Sequence, residues 1–156
     1  MKKKKADITI RVIKKPSKKL AANVEFLMEQ LLPGARRRDT QSKFHKLLQN
    51  PNAILVGAFH NEYKVLAGIV TLYRVETMGR RYVLFEECIV DERFRGEGIG
   101  QSLTRFVINL IEENEEYGDR IEGTAHESNI GAWQAYLKGG FHDRHNRAFF
   151  WVRHWV

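Results

Sequence analysis

Arg93-Phe94-Arg95-Gly96-Glu97-Gly98-Ile99-Gly100 lies directly after a strand-like run, Tyr82 to Val90, and directly before a helical pattern. Ile99, Leu103, Phe106, Val107, Leu110 and Ile111 recur at the three-to-four-residue spacing of an amphipathic helix. Three alternating glycines therefore stand where a strand hands over to a helix. Backbone N–H groups are exposed at such a point, and the helix dipole adds partial positive charge. Without a Cβ, the main chain can curl closely around a phosphate. Arg95 adds a charged fork. The physical reading is a pyrophosphate cradle, and the stretch alone does not say which molecule fills it.

A chain of 156 residues suits one domain with a real core. We divide it into a basic N-terminal arm, residues 1–7, and a single domain, residues 8–156. No apolar run reaches the ~20 residues of a membrane-spanning helix, and the basic start has no signal-peptide core behind it. The single cysteine, Cys88, excludes an internal disulfide and fits a reducing compartment. The expected location is the cytoplasm. The net charge of +7 invites a nucleic-acid role, but its distribution opposes one. Residues 1–19 hold nine of the 26 Lys and Arg and one of the 19 acids, so the remainder is close to neutral. The basic arm reads as a solvated end, with neither nucleic acid nor membrane expected as a partner.

The pattern along the chain is a strand at Ile8–Ile13, helices over residues 18–31 and around Phe44, Leu47 and Leu48, and a hairpin from Ala53 to Val75. The strand at Tyr82–Val90, the glycine loop and its helix follow. Residues 120–126 read as a strand. Ser128 or Asn129 can cap a helix with Ala132, Trp133, Tyr136 and Leu137 on one stripe, stopped at Gly139-Gly140. Residues 141–143 and 148–155 read as a closing pair of strands. The order βααβββαβαββ predicts an α/β (α+β) domain with one mixed, mostly antiparallel sheet flanked by helices.

Other phosphate motifs do not fit the loop. A Walker A loop ends in Gly-Lys-Ser/Thr, whereas Gly100 is followed by Gln101-Ser102. A dinucleotide fingerprint has Gly-x-Gly-x-x-Gly early in the fold, whereas this loop has Gly-x-Gly-x-Gly and comes late. Arg95-Gly96-Glu97-Gly98-Ile99-Gly100 instead resembles the Gln/Arg-x-x-Gly-x-Gly/Ala signature of the GNAT N-acetyltransferases. Downstream, Asn129-x-x-Ala132-x-x-x-Tyr136-x-x-x-Gly140-Phe141 resembles that family's second coenzyme-binding segment, and the element order matches as well. The resemblance implies the GNAT acyltransferase fold, an acetyl-CoA donor, no metal and an amine acceptor. It implies that Arg95, Gly96, Gly98, Ile99 and Gly100, with the Gln101 N–H, grip the pyrophosphate. It further implies that the strand end Cys88-Ile89-Val90 holds the pantetheine arm, with an N–H of Ile89 or Val90 on the acetyl oxygen. Asn129 then contacts the coenzyme arm, and Tyr136 protonates the leaving thiolate.

Acetyl transfer to an amine also needs a group to take the ammonium proton. Glu86 and Glu87 are the candidates, and strict strand alternation would let only one face the acceptor. Glu86 is the favoured base. As a strand cysteine, Cys88 reads more readily as core than as an acyl-carrying nucleophile. His142-x-x-His145 lacks the spacing and partners of a zinc site. Trp133 is expected in the core or over the coenzyme, Trp151 in the core, and His126 as a satisfied polar residue at a strand end. Glu112, Glu113, Glu115 and Glu116 read as a solvated face. The alternative to an enzyme is a non-catalytic module that binds or senses acyl-CoA. Dimers are common in the family, which makes a homodimer an expectation of the resemblance. No motif identifies the acceptor.

Overall fold

The computed structural model describes residues 5–33 and 40–144. Five strands form one sheet in the order β1-β2-β3-β4-β5: Ile8–Ile13, Ala53–His60, Val65–Glu76, Arg81–Val90 and Ile121–Gly123. The first four are antiparallel neighbours, and β5 joins β4 in parallel. Helices α1 (Lys18–Leu31) and α2 (Thr40–Gln49) cover one face, and α3 (Ile99–Glu112) covers the other, with α4 (Ile130–Gly139) packed beside it. This is the mixed sheet flanked by helices that the sequence pattern predicts.

Each face has its own core. Val56, Val70, Leu72, Val83 and Phe85 pack with Ile99, Leu103 and Val107 of α3. Leu55, Leu66, Ile69 and Ile89 pack with Val24, Leu27 and Phe44 of α1 and α2. Cover on both faces explains why β2 and β3 read as nearly continuous apolar runs rather than alternating ones. Helix ends follow their caps. The Ser17 hydroxyl accepts from the Leu20 N–H at 3.1 Å. Leu32 closes α1 through its N–H on the Met28 carbonyl, and Pro33 follows.

Three readings at the C-terminal end are corrected. The strand over residues 120–126 shrinks to Ile121–Gly123, because residues 124–128 turn instead into the cap of α4. The Asn129 N–H bonds the His126 carbonyl, and the His126 ring bonds the Ser128 hydroxyl at 2.8 Å. Residues 141–143 are not a strand. The Gly140 N–H bonds the Leu137 carbonyl and the Phe141 N–H bonds the Tyr136 carbonyl, so Phe141 finishes the helix stop. Trp133 is not in the core, being 47% exposed, and Ile130 and Leu137 are exposed too. The inward face of α4 is formed by Ala132, Ala135, Tyr136 and Gly139. Close approach to α3 selects small residues, and the large apolar ones turn outward. The strand expected over residues 148–155, with Trp151, lies outside the described residues.

Two residues assigned to the basic arm bond to the body. The Ala6 N–H donates to the Glu97 carbonyl at 3.2 Å, and Asp7 accepts from Asn61 through both its carbonyl and its carboxylate. Residues 6 and 7 are thus tied to the body. Glu116, read as part of a solvated face, is 63% exposed and also faces Arg74 at 3.7 Å.

The α3–α4 contact gives a direct test. A Cβ on Gly139 would stand 2.5 Å from the Thr104 Cβ, a backbone-near atom that cannot swing away. Gly139→Ala is expected to lower stability in urea unfolding by about 1–3 kcal/mol. An unchanged midpoint would show that the helices can separate without cost.

Candidate active site

The geometry begins with an irregularity in β4. Ile69 pairs with Ile89, and Thr71 pairs with Glu86, so β4 spends one residue more than β3 over the same span. The extra residue is Glu87, held at φ 49° in the left-handed region. That is a β-bulge, and it reverses which faces the following side chains take. Val83 and Phe85 pack on the α3 side before it, and Cys88 and Val90 pack there after it, whereas Ile89 joins the α1–α2 side. Alternation therefore does not separate the two acids. Glu86 sits opposite Thr71, and Glu87 lines the same cleft as Thr71.

The reversal also redirects the backbone. The Val83 N–H bonds the Arg120 carbonyl just ahead of β5, whereas the Asp91 N–H bonds the Ala67 carbonyl of β3. Successive strand N–H groups alternate in direction. Ile89 therefore points its N–H at β3, and Val90 points its N–H to the β5 side. Pairing with β5 stops at Phe85↔Gly123, so Val90 lies on an edge that β5 does not cover. Of the two N–H groups, that of Val90 is the one directed away from β3. Its carbonyl, on the same edge, accepts from Arg95 Nε at 3.0 Å.

The glycine loop follows a one-turn 3-10 helix at Glu92–Phe94. Gly96 and Gly98 have φ values of 84° and 83°, which a side chain would strain. Gly98 caps α3 with no side chain of its own. The first-turn N–H groups of Ile99, Gly100 and Gln101 thus have no acceptor within the helix. This cradle fits a pyrophosphate, with space for a Cβ beside Gly98 open. Arg95 braces the loop to the end of β4 through Nε. The Gln101 side chain turns away, donating to the Lys138 carbonyl at 3.3 Å, which leaves its N–H as the loop-facing group. Gly100 lies against Ala135 of α4.

Tyr136 reaches β4 from α4. Its ring meets Phe85 edge-on at 5.2 Å, and its hydroxyl and the Cys88 thiol interact electrostatically. Burial, then Cys88 and Glu86, push the phenol above its ordinary range. Burial pushes the Cys88 thiol up to about 12, only partly offset by Tyr136. A thiol so placed is protonated at neutral pH, as expected of a core cysteine and unlike a nucleophile. Asn129 uses Oδ1 to cap α4, accepting from the Ala132 N–H at 3.2 Å. Its Nδ2 is the remaining side-chain donor.

A cleft of about 360 Å³ opens between α1, α2 and the sheet, with Thr71, Tyr73 and Glu87 on its sheet side. Burial, then the charge of Glu87, raise the Glu86 carboxyl above its usual range. Burial, then Glu87 and Glu86, raise Tyr73 as well. The acids and the tyrosine form one electrostatic group beside the exit of β4. His142 is exposed, His145 lies outside the description, and no metal-binding group of His, Cys, Asp or Glu occurs among the described residues.

The model of the GNAT acetyltransferase family matches residues 21–141. The chain belongs to that family. Solved structures agree on the fold. An aminoglycoside N-acetyltransferase in complex with CoA aligns with TM-score 0.75 at 18% identity, over 95% of this chain and 96% of the other. An aminoglycoside acetyltransferase from an uncultured soil metagenomic sample, in complex with sisomicin, gives 0.76 at 16%, over 93% and 95%. Glucosamine-6-phosphate N-acetyltransferase from Arabidopsis thaliana gives 0.68 at 14%, over 95% and 99%. Comparison with curated protein sequences gives no match.

One feature of this GNAT domain has no counterpart in the sequence reading. Asp91, fully buried, caps the 3-10 turn and pairs with Arg93 at 2.6 Å. The Arg93 guanidinium lies over Phe26 of α1 and over Phe94. The Glu92 N–H donates to Gln30 Oε1 of α1 at 2.9 Å. Burial pushes the Asp91 carboxyl up, but the Arg93 hydrogen bonds and charge, with Gln30, outweigh it and hold the group below its ordinary range. The pair joins α1 to the start of the glycine loop. An aspartate one residue past a strand, before a helical turn, is the only sequence signal for it.

Two substitutions test this geometry. A β-branched residue is worse than Glu at positive φ, and Gly is better. Glu87→Val is therefore expected to be less stable than Glu87→Gly by more than about 1 kcal/mol in denaturant unfolding. Equal stabilities would remove the bulge from the account. Asp91→Asn keeps the shape but removes the charge, and a loss of about 2 kcal/mol is expected, moderated by the exposure of Arg93. The folded carboxyl titrates below its unfolded value, so its contribution is present above about pH 4 and is lost as pH falls through the folded pKa. Wild type should accordingly lose more stability than Asp91→Asn between pH 5 and pH 2, and parallel curves would contradict this.

Proposed function

We propose that this protein is an acetyl-CoA-dependent N-acetyltransferase acting directly on a primary amine. The observation that carries the reading is the meeting, at the end of β4, of a Val90 N–H on the edge beyond the last β5 pair, an α3 N-terminus without a side-chain cap, and the Tyr136 side chain. Its proposed setting is the cytoplasm, in keeping with a single, half-buried cysteine.

Acetyl-CoA, when bound, supplies the acetyl group as a reactive thioester. Gly98, Ile99, Gly100 and Gln101 offer backbone N–H groups to its pyrophosphate, and Arg95 holds their loop in place. Cys88 and Val90 present main-chain groups along the edge that β5 leaves uncovered, and the Asn129 amide adds a donor from α4. The Val90 N–H stands to donate to the thioester oxygen, where negative charge grows as the amine attacks. The amine must first lose a proton. Glu86 takes it, directly or through water, because its raised pKa brings it closer to the working pH. Burial is the main cause of that rise, and the charge of Glu87 adds to it. Tyr136 remains protonated at neutral pH and gives its proton to the departing thiolate.

Titration calorimetry with acetyl-CoA tests the donor, and binding in the micromolar range is expected. No heat at millimolar concentration with folded protein would sink the proposal. Tyr136→Phe is expected to cut kcat by about 100-fold with coenzyme affinity unchanged. Unchanged turnover would take the tyrosine out of the acid role. The pH profile tests the base. Activity should fall as pH drops through the raised Glu86 pKa, placing the acid limb above the ~4.3 of an ordinary glutamate. Glu87→Gln removes a like charge, so the limb should move to lower pH. A limb that stays in place would mean that Glu87 does not act on the base.

A further inference from the structure

The walls of the cleft carry information about the acceptor that the motifs lack. Toward α1 and α2 it is lined by Val24, Met28, Phe44 and Leu47, and its floor is Leu55 and Ile69. Its polar sheet-side groups are Thr71 and Tyr73 of β3 and Glu87 of β4, the strand that leads to Val90, with Glu86 of β4 paired to Thr71. Ionised groups elsewhere around the cleft are Glu25 and Glu29 of α1 and Lys43 of α2. Carboxylates thus outnumber ammonium groups among the described lining residues. The site pairs an anionic end with an apolar body.

From this we infer that the acceptor is a small primary amine with an apolar body, an alkyl- or arylalkylamine rather than an amino sugar; the inference rests on the acetyl-transfer reading above. An ammonium head is drawn to Glu86 and Glu87, where its proton must be taken. The rest of the molecule then lies between α1 and α2, where it replaces water against aliphatic and aromatic carbon. Against Val24, Met28, Phe44 and Leu47 a sugar body would lose water hydrogen bonds, and on those two helices only Glu25, Glu29 and Lys43 of the described lining could replace them. A phosphate would meet more carboxylates than ammonium groups among the described lining residues. The volume, near the lower end of ligand pockets, fits a compact body. The chemistry of this cleft therefore departs from the acceptors named for the aminoglycoside and glucosamine-6-phosphate enzymes that share the fold.

The test uses the full chain with saturating acetyl-CoA and follows coenzyme thiol release, with the acetylated product confirmed by mass. The acceptors are 2-phenylethylamine, hexylamine, an aminoglycoside and glucosamine-6-phosphate. Both apolar amines are expected to exceed both amino sugars in kcat/KM by about tenfold or more. An amino sugar that matches or exceeds them overturns the inference. Binding of acetyl-CoA with no acetylation of either apolar amine also overturns it, whereas failure of acetyl-CoA to bind overturns the acetyl-transfer reading itself. Met28→Glu places a charge on the apolar wall at a half-buried position. It should lower kcat/KM for 2-phenylethylamine by about tenfold, with coenzyme affinity unchanged. An unchanged kcat/KM in that variant, with coenzyme still bound, overturns the assignment of this wall to the acceptor.

Discussion

A single extra residue in β4, Glu87 at φ 49°, sets the direction of nearly every group at the site. Without it, Ile89 would turn to α3, Cys88 would leave Tyr136, and the Val90 N–H would be taken up by β3. With it, one strand serves two faces. Its first half anchors the α3 core through Val83 and Phe85, and its last residues present main-chain groups to the edge that β5 leaves at Gly123. A bulge of this kind costs local strain, and such strain persists where the surrounding structure holds it. Here Thr71, Val70 and Ile69 fix the opposite strand, all three fully buried.

The second constraint is the close seat of α4 on α3. Gly139 against Thr104 and Gly100 against Ala135 bring the helices near enough for Tyr136 to reach Cys88. The side chains of Gln101 and Arg105 both donate to the Lys138 carbonyl and tie the end of α4 to α3. Asp91 and Arg93 do the same for α1 and the glycine loop. The glycine loop and the cleft between α1, α2 and the sheet are thereby fixed to one frame through β4.

The residues that were legible in sequence carry their own local signal. Asn129 and Gly139-Gly140 mark the ends of α4, the alternating glycines mark the loop, and long apolar runs mark strands covered on both faces. Tertiary choices left less trace. Glu87 gives no sign of positive φ, since glutamate seldom adopts it, so alternation misassigned the two acids. Trp133 and Leu137 look like a core stripe, but close helix packing favoured Ala132, Ala135 and Gly139. Residues 124–128 have strand-like neighbours yet serve as a cap. The choice between Ile89 and Val90 needed the register, which no spacing in the sequence encodes.

The central claim is that β4 exits its bulge with the Val90 N–H facing the donor, beside the N–H groups that open α3. Amide NMR of the full chain during titration with acetyl-CoA tests it most directly. The account predicts large shifts at Val90, Gly98, Ile99, Gly100 and Gln101, with Ile89, bonded to β3, moving little. Strong shifts at Ile89 with Val90 and the loop unmoved, or no shifts in this region, would contradict it.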